Sequence, residues 1–302
     1  KKHRIKIGLD PTSPTLHLGH LVILNQIKEL QKMGHYILCI IGTYTAQIGD
    51  PSGKNKKRKS LYKKAIFYNC KTYEKQILSI LKKKNIKFLY NSTWLEKITS
   101  TTLLKLLTLH TVSRLLERKD FKNRLKKKKP LSLSELIYPI LQGYDSVIIN
   151  ASLEIGGNDQ KFNLNFGRFL QKRNNQTPQI IHTIPLLRGI DGVKKMSKTA
   201  KNSIDFTETK RNMFGKIMKL HDSLLQEYHH LIFKKKNINI KNIIKAKLNL
   251  AFMVVKLFFS IKDAKDEKNF FIERYCKKKR NLQETTHTLY VKKYENYQQY
   301  LK

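Results

Sequence analysis

The chain has 302 residues with 40% hydrophobic content, enough for one large domain or two moderate ones with real cores. Its 61 Lys+Arg against 22 Asp+Glu give a net charge of +39, a field that attracts polyanions. That composition excludes an acidic or disulfide-framed secreted module: Cys39, Cys70 and Cys276 are far apart, form no C-x-x-C or Cys/His cluster, and fit a reducing, cytoplasmic setting. Charge alone does not choose between RNA and a solvated surface. Lys, Ile and Asn are all abundant, as drift in an A/T-rich genome produces, and the runs Lys54 to Lys59, Lys126 to Lys129 and Lys277 to Arg280 read either way. The longest apolar run, Leu250 to Ile261, carries Lys256 and is too short for a bilayer.

In chain order, Ile5, Ile7 and Leu9 alternate with Lys6 and Gly8, which predicts a strand. Asp10-Pro11-Thr12-Ser13-Pro14 breaks it into a loop. From Gly19 to Met33, Leu21, Ile23, Leu24, Ile27 and Leu30 follow helical spacing, and Gly34 is the expected stop. Tyr36 to Ile41 is a continuous apolar run, as in a buried parallel strand. Strand, loop, helix and strand make a βαβ unit, so the expected class is α/β with a Rossmann-like parallel sheet.

His17-Leu18-Gly19-His20 sits where the first loop enters its helix, a position whose free N–H groups favour phosphate. Two imidazoles there add donors, and Gly19 lets a nucleotide come close. The bland alternative is a pair of surface or capping histidines. The loop from Gly42 to Arg58 follows the second strand, at the edge where such sheets bind ligands; Asp50 is placed to hold an ammonium group. Gly53, Lys54 and Arg58 read as a basic flap, and Lys56 and Lys57 as solvated lysines.

Residues 95–130 contain an apolar helical stretch from Leu103 to Leu116. Ser134 to Ile149 is predicted helical, with Tyr138, Gln142 and Asp145 on one face at i, i+4 and i+7. A phenol, an amide and a carboxylate on an otherwise apolar helix fit a pocket with polar tips better than a core stripe. Each buried group left unpaired costs about 1–3 kcal/mol. Gly156-Gly157-Asn158-Asp159-Gln160 opens another helix, with Asp159 suited to ribose hydroxyls. Ile180 to Leu187 is a strand, and the loop Arg188 to Thr199 carries Lys195-Met196-Ser197-Lys198-Thr199. Two lysines on a flexible loop suit a pyrophosphate leaving group; Lys194 and Lys201 read as ordinary surface. Phe206 to Phe233 and Ile240 to Tyr275 are expected to be helical, with Met213, Ile217, Leu220, Leu224 and Leu231 as one core stripe and Leu248, Phe252, Val255, Phe258 and Phe259 helping to define another.

The pairing of H-L-G-H with K-M-S-K-T resembles the two ATP-handling motifs of class I aminoacyl-tRNA synthetases. Four further strings narrow it: G-L-D-P-T-S-P-T ahead of the histidines, I-G-D-P-S-G-K from Ile48, Y-P-I-L-Q-G-Y-D-S from Tyr138 and G-G-N-D-Q-K-F-N from Gly156. With these the chain resembles the bacterial-type tyrosyl-tRNA synthetases over nearly all of residues 4–235.

The resemblance implies a catalytic domain over 1–205 with a helical dimer-interface insertion at about 95–135. It implies an all-α domain over 206–285 near the anticodon arm and a tail over 286–302 in which the usual C-terminal RNA-binding domain is not visible. It implies Mg-ATP as substrate with no tightly bound cofactor and no resident metal, L-tyrosine and tRNA(Tyr) as partners, and a homodimer. By position it implies that Thr45, Asp50, Tyr138 and Gln142 bind the tyrosine amino group, that Asp145 reads the phenol hydroxyl, and that Gln160 steadies the carboxylate. Asp10, Gly19, Gly157, Asp159, Met196 and Ser197 would contact ATP. His17, His20, Lys54, Arg58, Lys195 and Lys198 would stabilise its phosphates. Two positions depart from common family patterns: Lys6, where some relatives carry a tyrosine, and Asn158, where Ser or Thr is usual. The rival readings are a tryptophanyl-tRNA synthetase, a non-catalytic RNA-binding relative and a small-metabolite nucleotidyltransferase. The Tyr138, Gln142, Asp145 stripe and the intact lysine loop argue against them.

Overall fold

A computed structural model describes residues 2–52, 61–236 and 240–277. The first half builds a five-stranded, wholly parallel sheet: β1 (Arg4–Leu9), β2 (Tyr36–Ile41), β3 (Ile86–Tyr90), β4 (Leu153–Gly157) and β5 (Ile180–Ile184), in the order β3-β2-β1-β4-β5. Helices α1 (Leu18–Lys32), α2 (Thr45–Ile48) and α3 (Lys63–Leu78) belong to the β1–β2–β3 run. The chain then passes through α4 (Ser92–Leu95), α5 (Ser100–Thr108), α6 (Val112–Leu115) and α7 (Lys119–Lys126) to α8 (Leu133–Ile148), and only then returns to β4 beside β1. The strand order therefore reverses between β1 and β4, and a crevice opens at their carboxyl ends. After α9 (Lys161–Arg173) and β5 the described chain is helical: α10 (Lys210–Met218), α11 (Leu225–Phe233), α12 (Ile243–Phe258) and α13 (Ile261–Phe271), with a π-helical turn at Ile272–Lys277.

The alternation read in β1 is not a solvent face. Ile5, Lys6 and Ile7 are all buried, because β1 is the central strand and is covered on both sides. Lys6 is tolerated there by register. It lies directly opposite Glu154 on β4, with 3.0 Å between Nζ and Oε1. Its ammonium also donates to the Gln142 carbonyl at 2.8 Å and to Ser146 Oγ at 2.7 Å. Glu154 in turn accepts from Ser146 Oγ and from Gln179.

Several expected elements are interrupted, each for a local reason. β5 ends at Ile184 rather than Leu187, because Pro185 offers no ladder donor. Leu103 to Leu116 is not one helix: Thr111 caps a new turn by accepting from the Arg114 amide. The expected helix 240–275 breaks at Phe259, which is extended; Ser260 and Asp263 then form a capping box that starts α13. The expected helix 206–233 breaks after α10, where His221 caps a short 3-10 turn at Asp222–Leu224. Met213, Ile217, Leu220 and Leu224 are buried as the periodicity predicts. Their apolar cluster is continuous with the sheet core through Leu21, Ile27 and Ile155. A second cluster, including Leu106, Leu115, Ile140 and Phe166, fastens the 95–130 segment to α8 and α9. The buried Arg124–Glu135 pair adds to it. Among the described residues no helix is long and apolar enough to cross a membrane.

Lys6→Met leaves Glu154 buried beside no counter-charge and is expected to cost about 3–5 kcal/mol. Lys6→Met/Glu154→Gln should recover at least half of that. Urea denaturation measures both; a single-variant loss below about 1 kcal/mol contradicts the role assigned to the pair.

Candidate functional site

The crevice holds a cavity of about 310 Å³ that runs from the ends of β1 and β4 out to the Lys195–Thr199 loop. At its outer end His17 is the N-cap of α1. The Gly19 amide donates to His17 Nδ1 at 3.2 Å, and the His17 amide donates to His20 Nδ1 at 3.1 Å. The two histidines thus make the reciprocal cap that Ser and Glu usually make. Because both Nδ1 atoms accept, both rings are neutral and carry their proton on Nε2. Burial pushes His17 down to about 2, helped by His20 and then by Lys198 and Lys195. Burial also pushes His20 down to about 4, with Lys198 adding to it. Gly19 is required by the cap itself: a Cβ there would stand 2.9 Å from the His17 ring.

The second motif is tied to the first through the backbone. Leu18 N donates to Ile204 O at 3.0 Å and Phe206 N to Leu16 O at 2.9 Å, so the stretch after the lysine loop lies along the histidine motif. The loop is more organised than its lysines suggest. Met196 is buried, its amide bonded to the Leu187 carbonyl, and Asn202 Oδ1 accepts from the Ser197 amide at 2.8 Å. Lys195 pairs with Asp159 at 2.5 Å, and Lys198 lies 3.5 Å from Asp205.

The inner end is acidic and polar. Tyr138, Gln142 and Asp145 project from α8 into the cavity, as the helical spacing requires. The Tyr138 hydroxyl donates to Asp10 Oδ2 at 2.9 Å, and Thr45 Oγ1 donates to Asp10 Oδ1 at 2.8 Å. Burial, then Asp10 and Asp50, raise the Tyr138 hydroxyl well above its ordinary range, so it stays a donor. Asp10, expected among the ATP contacts, thus joins two residues expected at the amino group. Gly42 makes that junction possible, since a Cβ there would lie 2.0 Å from Asp10 Oδ1. Gln160 donates to Asp50 Oδ2 at 2.7 Å, and Gln142 Oε1 accepts from Asn163 at 2.9 Å.

Asp145 closes the pocket. Trp94 Nε1 donates to its Oδ1 at 2.8 Å and Asn91 Nδ2 to its Oδ2 at 3.3 Å. Burial raises its carboxyl to about 6, against the opposing pull of Lys6. A carboxylate has about four acceptor sites, so capacity remains for a ligand hydroxyl.

The structure therefore brings together at one cavity Asp10, His17, Gly19, His20, Thr45 and Asp50, and with them Tyr138, Gln142, Asp145, Gly157, Asp159 and Gln160. Lys195, Met196, Ser197 and Lys198 complete the lining. Lys54 and Arg58 lie outside the described residues. Asn158 is exposed and apart from the cavity. Sequence reasoning missed Asn91, Trp94, Asn163 and Asn202, which hold the lining residues in place. The signals available were that Trp94 is the chain's single tryptophan and that Asn163 closes the G-G-N-D-Q-K-F-N string. Among the described residues no cluster of three or more His, Cys, Asp or Glu could hold a metal ion. In chemical terms, carboxylates able to accept from an ammonium and a hydroxyl stand at one end, and neutral N–H donors with two lysines, a set suited to phosphate charge, stand at the other.

The family model for class I tRNA synthetases (W and Y) matches residues 1–290. The chain is 50% identical over 232 residues to the tyrosine–tRNA ligase of Carboxydothermus hydrogenoformans, covering 77% of this chain and 56% of that protein. It thus spans little more than half of that relative's length. It is 43% identical over 284 residues to the tyrosine–tRNA ligase of Mannheimia succiniciproducens, covering 91% of this chain and 72% of that one. A solved structure of a C-terminally truncated mitochondrial tyrosyl-tRNA synthetase from Aspergillus nidulans superposes with a TM-score of 0.70 at 19% identity, over 91% of this chain and 86% of that one. The likeness of that structure is one of fold.

His17 and His20 should remain neutral Nε2–H tautomers from pH 8 down to pH 5. Long-range ¹H–¹⁵N correlation of the imidazoles reads this directly. A titration of either ring with a midpoint above about 5.5 contradicts the cap geometry.

Proposed function

The chain belongs to the class I tRNA synthetases of the W and Y family, and on that footing we propose that it activates tyrosine with Mg-ATP and transfers it to the 3'-terminal adenosine of tRNA(Tyr). The observation that carries tyrosine is Asp145: a buried carboxylate at the inner end of the cavity, oriented by Trp94 and Asn91. A phenol hydroxyl satisfies it. Phenylalanine leaves the acceptor site that faces the ligand unmet, at about 1–3 kcal/mol and more for a charged acceptor.

In this reading Thr45, Asp50, Tyr138 and Gln142 surround the amino group and Gln160 the carboxylate end. Asp10 ties the amino-group residues to the nucleotide side. Gly19, Gly157, Asp159, Met196 and Ser197 hold adenosine. The tyrosine carboxylate attacks the α-phosphorus in line, and the bond to the β-phosphate oxygen breaks to release pyrophosphate. His17 and His20 donate to the phosphates as neutral N–H groups, so they need no proton from solution. Lys195 and Lys198, with Lys54 and Arg58 of the flap, meet the negative charge that develops on the leaving group. One strong donor of this kind is worth about 3–4 kcal/mol. The tRNA adenosine hydroxyl then takes the acyl group from the adenylate. No covalent enzyme intermediate is required.

The remaining proposals concern assembly. The 95–135 insertion is the homodimer interface, supported by four exposed apolar side chains along it, Leu104, Val112, Leu125 and Leu133. The helices after 206 contact the anticodon arm, and the +39 charge suits that polyanion.

Tyrosine-dependent exchange of labelled pyrophosphate into ATP is the test, with tryptophan and phenylalanine as controls. Exchange with tyrosine alone is expected; none with any amino acid, from folded protein, sinks the reading. The ionised Asp145 accepts a hydrogen bond from the phenol hydroxyl, and burial pushes its carboxyl up to about 6. So kcat/KM for tyrosine should be constant above pH 7 and fall roughly tenfold per unit below about pH 6. Asp145→Asn should abolish that limb. For the dimer, sedimentation should find a dimer at micromolar concentration that Leu133→Glu shifts to monomer; a native monomer refutes the interface.

A further inference from the structure

The loop that delivers the histidine pair cannot hold itself. Between Asp10 and His17 it contains Pro11 and Pro14, which have no N–H, and the backbone bonds within it reduce to one, Thr12 N to Asp10 O at 2.8 Å. Ser13 Oγ adds one side-chain bond within the loop, to the Thr15 carbonyl at 3.1 Å, and Thr15 Oγ1 reaches Asp205 at 3.3 Å. The Pro11 and Pro14 carbonyls and the Leu16 amide are met by one face of α3. Asn69 Nδ2 donates to the Pro11 carbonyl at 2.9 Å, and the Thr72 hydroxyl donates to the Pro14 carbonyl. Gln76 does two things at once: its Nε2 donates to the Pro14 carbonyl at 3.0 Å, while its Oε1 accepts from the Leu16 amide at 2.7 Å. Asn69 and Gln76 are buried, and the two lie one full register apart at i and i+7 with Thr72 between them. The other side of the loop is held by Phe206 N on Leu16 O.

Leu16 is therefore gripped at both its amide and its carbonyl, one residue ahead of the imidazole that caps α1. We infer that Thr72 and Gln76 are positioning residues for the histidine pair: from α3, without touching substrate, they fix where the His17 and His20 Nε2–H donors stand relative to the phosphates. The inference rests on the tyrosine-activating reading. A donor aimed at charge in the transition state loses its value steeply with position, since a displacement of about 1 Å costs on the order of a hundredfold in rate. None of the six tyrosine-side residues sits on this loop or on α3, and three of them, Tyr138, Gln142 and Asp145, are carried by α8, so the effect falls on turnover rather than on tyrosine binding.

The test compares Gln76→Met, Thr72→Val and Thr72→Ser with the native chain in tyrosine-dependent pyrophosphate exchange. Turnover is expressed per tyrosine-binding site counted by equilibrium dialysis, so that a misfolded fraction does not count. Gln76→Met is expected to lower turnover by roughly 10- to 100-fold, with KM for tyrosine within about threefold. Thr72→Val is expected to lower it several-fold and Thr72→Ser to restore it. The ¹⁵N shifts of His17 and His20 should move in Gln76→Met, which a merely stabilising role would not produce. Turnover per site within twofold of native in both Gln76→Met and Thr72→Val overturns the inference. So does a rise in tyrosine KM with turnover unchanged. If Gln76→Met does not fold, the Thr72 pair decides by the same criteria. If the native chain shows no exchange, the functional reading fails, and the histidine shifts alone decide whether α3 positions the pair.

Discussion

Two backbone hydrogen bonds, Leu18 N to Ile204 O and Phe206 N to Leu16 O, hold the site together. They lay the stretch after the lysine loop along the entry to α1, although nearly two hundred residues of chain separate the two. Every other feature of the outer cavity follows from that contact. Met196 packs near Gly19, Lys198 reaches Asp205, His17 feels both lysines and His20 feels Lys198. The sheet makes the contact available by reversing its strand order between β1 and β4, so that the loops after β1, β4 and β5 converge on one crevice.

The cavity is polarised along its length. Its inner end is built on carboxylates: Asp10 shared by Thr45 and Tyr138, Asp50 held by Gln160, and Asp145 held by Trp94 and Asn91. Its outer end is built on neutral imidazoles and ammonium groups. Burial keeps both histidines neutral, and the charge of Lys198, with Lys195 at His17, adds to it, so the two motifs divide into donors without charge and charge on flexible ammonium groups. Beneath this lies the Lys6–Glu154 pair, which brings an ammonium group under α8 at the Gln142 carbonyl; Lys6 opposes the upward shift of Asp145, and Glu154 adds to it.

The strand, helix and strand from Ile5 to Ile41, the helix carrying Tyr138, Gln142 and Asp145, and the two ATP-type motifs were legible because each is a local pattern. Period-two and period-3.6 spacing and glycine-bounded loops need no distant partner to be read. The helix interruptions were less legible, though a signal was present: Ser260 and Asp263 have capping-box spacing inside an apolar run that reads as continuous. Asn91 and Asn202 carried no pattern; Trp94 stood out only as the chain's single tryptophan, and Asn163 only as the last residue of the G-G-N-D-Q-K-F-N string. Each does its work through hydrogen bonds to side chains or amides that only the fold brings near, across as much as 54 residues of sequence.

The sequence by itself determined the elements, the α/β class, the family resemblance and the residue types at the site, because those depend on local spacing and composition. The tertiary structure alone decided which charges are buried and what answers them. Lys6 reads as the polar half of an alternating strand, and it becomes a buried cation only because β1 is central and Glu154 falls opposite it in register. The Leu16 amide likewise finds Gln76 only because α3 packs beside a loop whose prolines leave it without partners of its own. Burial, protonation state and the satisfaction of polar groups are properties of neighbours in space, and a one-dimensional pattern does not contain them.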